Sequence, residues 1–237
     1  MVKKEISGLK RMIGKFASRQ VIEKVGSEVN NMLEVVKVRD TLMLNSANTN
    51  YSFGGLHRVF QKAFKKLKIH ERQIRDVLIL GFGTGSIASI LHEELGMECM
   101  ITAVEKDPQV LKLGRKYFNT GRYTGLEIIE ADAADFMAKN TRSFDLVIVD
   151  VYVDFEVPVS CETSEFVSGM EKCLNTGGMM LFNKLIYNHK ARKEAAELEK
   201  KFETLNGKVS VIKVRESVVN KVIVLEKGKR QPVTSNQ

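Results

Sequence analysis

Residues 78–89 read LILGFGTGSIAS, an apolar run that breaks into three alternating glycines, Gly81, Gly83 and Gly85, and then resumes at helical spacing. A buried strand that passes through such a loop into a helix is a nucleotide-binding context. Glycine lets the backbone turn sharply and lets a ligand approach its N–H groups with no Cβ in the way. The helix that follows turns Ile87, Ile90, Leu91 and Leu95 inward and stops at Gly96. The spacing is GxGxG, and Ser86 stands where a dinucleotide fingerprint has its third glycine. A tight turn without a ligand uses glycines too, so the loop alone does not decide.

The next segments add the missing specificity. TAVEKDPQVLKLGRKYF (102–118) ends a strand at Glu105, 24 residues after Gly81, near the spacing at which a carboxylate meets the two hydroxyls of a ribose. Asp107 and Pro108 then supply an N-cap and a first-turn proline for a helix. LEIIEADAADF (126–136) places Asp132 at a strand end, where a short acceptor can reach an adenine amino group, and FDLVIVDVYVDFEVP (144–158) places Asp150 at another. Four such strand ends converge on one crevice in an open α/β sheet.

Periodicity organises the rest of the chain. Strands are expected at 77–81, 100–104, 126–129, 145–149 and 179–183, and helices near 85–95, 108–118, 163–174 and 188–205. KVSVIKV and NKVIVLEK near the end read as an antiparallel hairpin at the sheet edge. The expected fold class is α/β: a doubly wound, mostly parallel, seven-stranded Rossmann-like sheet. A basic amphipathic helix at 4–17 and a hairpin or small sheet from 20–25 and 32–44 precede it. The domain reading is an extension over 1–55, a nucleoside-binding catalytic domain over 56–228, and a disordered tail over 229–237.

Composition narrows the setting. The chain of 237 residues has no apolar run of membrane-spanning length, and its start is charged where a signal peptide is apolar, so a soluble cytoplasmic protein is expected. Cys99, Cys161 and Cys173 form no CxxC pair or metal spacing, so reduced thiols and no metal are expected. Residues 1–75 carry 16 Lys/Arg against 6 Asp/Glu, a surplus that the remainder does not share. That basic third is a candidate nucleic-acid footprint, but without an RNA-binding signature only weak, non-specific binding is expected of it. A homodimer is left open.

The series VLILGFGTGS, AVEKDP, EADAADF and FDLVIVD resembles the core of class I S-adenosylmethionine-dependent methyltransferases, and more closely their spermidine-synthase-like (polyamine aminopropyltransferase) group, over roughly residues 30–225. The resemblance implies S-adenosylmethionine, or its decarboxylated form, as cofactor. It implies cofactor contacts at Gly81, Phe82, Gly83, Thr84, Gly85, Glu105, Lys106, Asp132, Ala133 and Asp150. LHRVF (56–60) sits where the group has Tyr-His-Glu, so His57 matches while Leu56 and Arg58 do not.

The departures fall on the acceptor side. Thr84 replaces the aspartate that, in aminopropyltransferases, holds the amino end of the decarboxylated cofactor. Val153 replaces the second acid of Asp-x-x-Asp, with Asp154 one place late. The acidic residues that grip a diamine give way to the uncharged stretch NSANTNYSFGG. The expectation is therefore methyl transfer to a small-molecule acceptor, with Thr84 and the loop amides receiving the zwitterionic end of the cofactor. Asp150, Tyr152, Asp154 and His57 are the candidate catalytic residues, with Asn50 and Tyr51 nearby. Aminopropyl transfer, and a binding protein without catalysis, are the alternatives.

Overall fold

A computed structural model describes residues 19–46, 50–153 and 155–228, so the expected helix at 4–17 and the tail at 229–237 lie outside the described residues. Four strands come first: β1 (Arg19–Ser27), β2 (Asn31–Val38), β3 (Thr41–Ser46) and β4 (Asn50–Ser52), which form one antiparallel sheet in sequence order. The stretch at 32–44 is thus two strands. Arg39, at φ 55°, turns the chain back between them, and a left-handed residue ends a strand as surely as glycine does.

Helix α1 (Gly55–Leu67) leads into the main sheet, whose strands are β5 (Asp76–Leu80), β6 (Met100–Glu105), β7 (Leu126–Glu130), β8 (Phe144–Val149), β9 (Leu174–Ile186), β10 (Gly207–Arg215) and β11 (Val219–Lys227). Their order is β10-β11-β9-β8-β5-β6-β7. β5 to β9 run parallel, and the β10–β11 hairpin adds antiparallel strands beside β9. β9 runs 13 residues rather than the five expected, because an irregular pairing with β8 starts it at Leu174 and pairing with β11 carries it on to Ile186.

The intervening helices are α2 (Ser86–Ser89, continued as a π turn over Ile90–Glu94), α3 (Pro108–Phe118), α4 (Ala133–Lys139), α5 (Ser164–Lys172) and α6 (His189–Glu203). Alternation along each strand builds two core layers. Val77, Ile79, Ile101, Leu146 and Ile148 face α1 and α2, while Leu78, Leu80, Val147, Val149 and Phe182 face α4, α5 and α6. A third, smaller core joins Leu33, Val35 and Leu44 of the first sheet to Val110, Leu113 and Phe118 of α3. Among the described residues no helix is long and apolar enough to cross a membrane.

The glycine loop marks the switch point, since β5 has β6 on one side and β8 on the other and their connections depart in opposite directions. Gly81 has φ 87°, and a Cβ there would stand 2.3 Å from the Asp150 carbonyl oxygen. Only glycine lets the loop cross the end of β8 this closely.

Candidate functional site

At the carboxyl ends of β5, β6, β7 and β8 lies a crevice of about 410 Å³, open mouth included. Its wall includes Gly81, Glu105, Lys106, Asp132, Ala133 and Tyr152 from the expected set. Val29, Val104, Ala131, Val151, Val153, Pro158 and Cys161 complete it.

Glu105 is the fixed point of this site. It is 3% exposed at the end of β6, and backbone amides hold both its oxygens: Gly83 N–H donates to Oε2 at 2.9 Å and Asp107 N–H to Oε1 at 3.0 Å. Each oxygen keeps a second lone pair for a ligand hydroxyl. Burial raises its proton affinity, opposed by those amide bonds.

Asp132 caps α4. Its Oδ1 accepts from Ala134 N–H at 2.8 Å, and Lys106 Nζ lies 2.9 Å from its Oδ2. Burial works against ionisation here, but the Lys106 bond and the helix amides outweigh it and hold Asp132 below its ordinary range. Ala133 N–H, the first amide of α4, has no intrahelical acceptor. An accepting oxygen beside a free N–H complements the amino-and-ring-nitrogen edge of adenine.

Asp150 lies behind Gly81, beside the crevice. Burial pushes its carboxyl up to about 7; the amide of Asn183, donating to Oδ1 at 3.0 Å, pulls it down, and the charge of Glu105 pushes it up again. Tyr152 donates its hydroxyl to the Asn183 carbonyl at 2.7 Å, and burial together with the Asp150 charge raises its pKa well above the usual phenol value.

Folding raises the proton affinity of Asp150. Its contribution to stability is therefore complete below its ordinary value of 3.8 and is lost as the pH rises through about 7. Asp150→Asn stays neutral throughout. Relative to the parent it should gain of the order of 1 to 2 kcal/mol between pH 4.5 and 8, a figure reduced for the solvent that reaches this half-buried group. Urea unfolding at the two pH values measures it, and an equal difference at both would show an ordinary carboxylate.

Several expected residues face elsewhere. Phe82 and Thr84 turn their side chains into the core, and Thr84 Oγ1 is buried with no hydrogen-bond partner among the described residues. The loop amides are also engaged: Gly81 and Phe82 donate to Val104 O, Gly83 to Glu105, Thr84 to Ser52 Oγ and Gly85 to Phe82 O. The expected reception of a zwitterion by Thr84 and these amides does not fit that arrangement, because the folded chain already uses the donors. His57 stacks on Phe53 at 5.4 Å and sets its Nε2 2.5 Å from Glu94 Oε1, away from Asp150. Asp154 and the side chains of Asn50 and Tyr51 lie outside the described residues.

The sequence reading missed the roof. Ser27 and Asn30 at the β1–β2 turn both donate to Asp107 Oδ2, the amide of Asn30 at 2.8 Å, while Asp107 Oδ1 caps α3 through Gln109 N–H at 2.9 Å. One buried carboxylate thus pins the hairpin that carries Val29 over the crevice. Asp107 was legible as a cap, but its second oxygen acts across 77 positions of sequence, where no local signal exists.

A family model described as a methyltransferase domain matches residues 74–235. The chain is 27% identical over 167 residues to a probable polyamine aminopropyl transferase of Bifidobacterium longum (strain NCC 2705), across 67% of this chain and 36% of that one. It spans less than half the length of the curated relatives it matches. A probable spermidine synthase from Corynebacterium glutamicum ATCC 13032 superposes with TM-score 0.75 at 18% identity, over 92% of this chain and 84% of that one. Human methyltransferase-like protein 13, solved in complex with SAH, superposes with TM-score 0.61 at 17% identity, over 77% and 86%.

Proposed function

The chain belongs to the methyltransferase-domain family and has the class I fold, and from that premise we propose that it is a transferase using a sulfonium nucleoside of the S-adenosylmethionine type, its reaction being methyl transfer to a small-molecule acceptor. The observation that carries this reading is Glu105, a buried carboxylate oriented by two amides and facing Asp132 and Ala133 across one crevice. Glu105 would take both ribose hydroxyls, and Asp132 with Ala133 N–H would take the adenine edge.

The sulfonium supplies a carbon activated for in-line displacement, which asks the protein mainly for orientation and a dry site. Asp150 would receive the proton that the acceptor's nucleophile gives up as its bond to that carbon forms and the carbon–sulfur electron pair passes to sulfur. A carboxyl that titrates near neutrality suits that exchange.

The choice of group rests on the missing acids. A doubly cationic diamine needs two or three carboxylates to offset its desolvation. Position 84 is a buried threonine and position 153 a valine in the crevice wall.

Aminopropyl transfer is a second reading, favoured by Asp150 as a base for an amine and by the engaged loop amides, which leave no donor there for a methionine carboxylate. The test incubates the protein with S-adenosylmethionine or its decarboxylated form and a panel of amines, following products by chromatography. The expected outcome is no amine-dependent release of methylthioadenosine. Amine-dependent release that Asp150→Asn abolishes would put aminopropyl transfer in first place.

Nucleic acid is not the partner we propose. Among the described residues of the basic first third, five cationic side chains are drawn into ion pairs within the fold, Arg58 and Lys62 with Glu216, Arg72 with Glu226, and Arg19 and Lys24 with Glu34. A cytoplasmic setting belongs to the same proposal.

A further inference from the structure

Beyond the crevice, a row of polar side chains runs from Asp150, just past the carboxyl end of β8, through Asn183 of β9 to Asn220 at the amino end of the antiparallel β11. Asn183 Nδ2 donates to Asp150 Oδ1 at 3.0 Å and also lies 3.2 Å from Asn220 Oδ1, and Asn220 Nδ2 donates to Val218 O at 3.2 Å. Asn183 and Asn220 are 0% and 4% exposed. Buried amides among the apolar residues that fill most of the buried positions of β9 and β11 are costly unless paired.

The row has a direction. Both N–H groups of Asn183 are used as donors, whereas its Oδ1 is buried with no hydrogen-bond partner among the described residues. The opposite orientation would set that oxygen against two acceptors, Asp150 and Asn220. The amide is therefore locked by its neighbours with its positive end toward Asp150. It occupies Oδ1 and leaves Oδ2 with no protein donor among the described residues.

We propose that Asn183 is a positioning residue: its amide fixes the Asp150 carboxylate as an acceptor and decides which of its oxygens is free to take a proton from the acceptor's nucleophile. This rests on the group-transfer reading, in which Asp150 takes that proton. It adds a residue that touches neither cofactor nor acceptor and acts only through Asp150.

Three neighbours surround Asp150, and two of them act on its charge. Glu105 at the end of β6 repels it, Asn183 of β9 stabilises it, and Tyr152 in the following loop gives its proton to the Asn183 carbonyl and donates nothing to Asp150. Asn183 is the one favourable partner in that set. When Asp150 takes a proton on Oδ2, its Oδ1 becomes a carbonyl oxygen that still accepts from the Asn183 amide, more weakly than the carboxylate does, so the amide favours the charged form.

The test needs neither ligand nor activity. The full chain is labelled with carboxyl-13C aspartate, the Asp150 signal is assigned by its loss in Asp150→Asn, and its titration is followed by NMR. A midpoint near neutrality is expected for the parent. Asn183→Leu, of similar size but without the amide, should raise the midpoint by about one pH unit, as befits a lost hydrogen bond to a charge. Asn183→Gln, which keeps a donor, should restore part of the shift. Asn183→Ala serves in place of the leucine variant if that one does not fold.

A folded variant without the amide whose midpoint is unchanged overturns the proposal. A raised midpoint supports it even if no transfer activity is found, in which case the group-transfer reading fails separately. Where activity is measured, the acid limb of kcat should move with the midpoint while the KM for the nucleoside stays put.

Discussion

Glu105→Ala is expected to weaken the binding of S-adenosylhomocysteine about 30-fold or more, the loss of a charge-assisted pair of hydrogen bonds worth roughly 2 to 4 kcal/mol. The same change should lower stability, because Gly83 N–H and Asp107 N–H would be left without an acceptor in a buried site. Two such groups together cost about 2 kcal/mol or more. Titration calorimetry reads the first effect and urea unfolding the second. Glu105→Gln separates them: its carbonyl oxygen still accepts one amide, so it should recover stability before it recovers affinity. Unchanged affinity in the alanine variant would remove the nucleoside from this crevice.

Asp107→Ala should be the most damaging change at the roof. Four donors converge on this carboxylate, two from α3 and two from the β1–β2 turn. Loss of the cap costs about 1 kcal/mol, and the stranded donors raise the total to about 3 kcal/mol or more. Hydrogen exchange should locate the damage, with β1 and β2 losing protection while β5 and β6 keep theirs. Equal loss in both sheets would mean that Asp107 supports the core in general and not the roof in particular.

What could be read from the residues is what local physics dictates. The strands of the main sheet were legible because buried strands are continuous apolar runs, and their carboxyl ends were legible because glycines and acids interrupt those runs. Helix α4 was missed at seven residues, too short for periodicity, although the Asp132 cap with Asp135 three places later was a usable sign.

The direction of side chains was the larger omission. Spacing places Thr84 and Phe82 in the loop but does not say that both turn inward, since that depends on what α3 and α1 offer behind them. Likewise His57 was read by its place in a motif, while its actual partner, Glu94, comes from a π turn that shifts the register of the helix it ends. Asn183 was visible as a polar residue ending an apolar strand, but its alignment with Asn220 exists only once β11 pairs with β9.

The small core shared by the first sheet and α3 has a consequence during synthesis. Leu33, Val35 and Leu44 leave the ribosome well before Val110, Leu113 and Phe118, the residues they pack against. At roughly 5 to 20 residues per second, the gap of about 60 residues from β4 to α3 lasts between about 3 and 12 seconds. Throughout that interval the nascent sheet lacks the α3 residues that pack against its apolar face. Docking of the segment that roofs the crevice onto α3 is thus a late event that waits on the chain still being made.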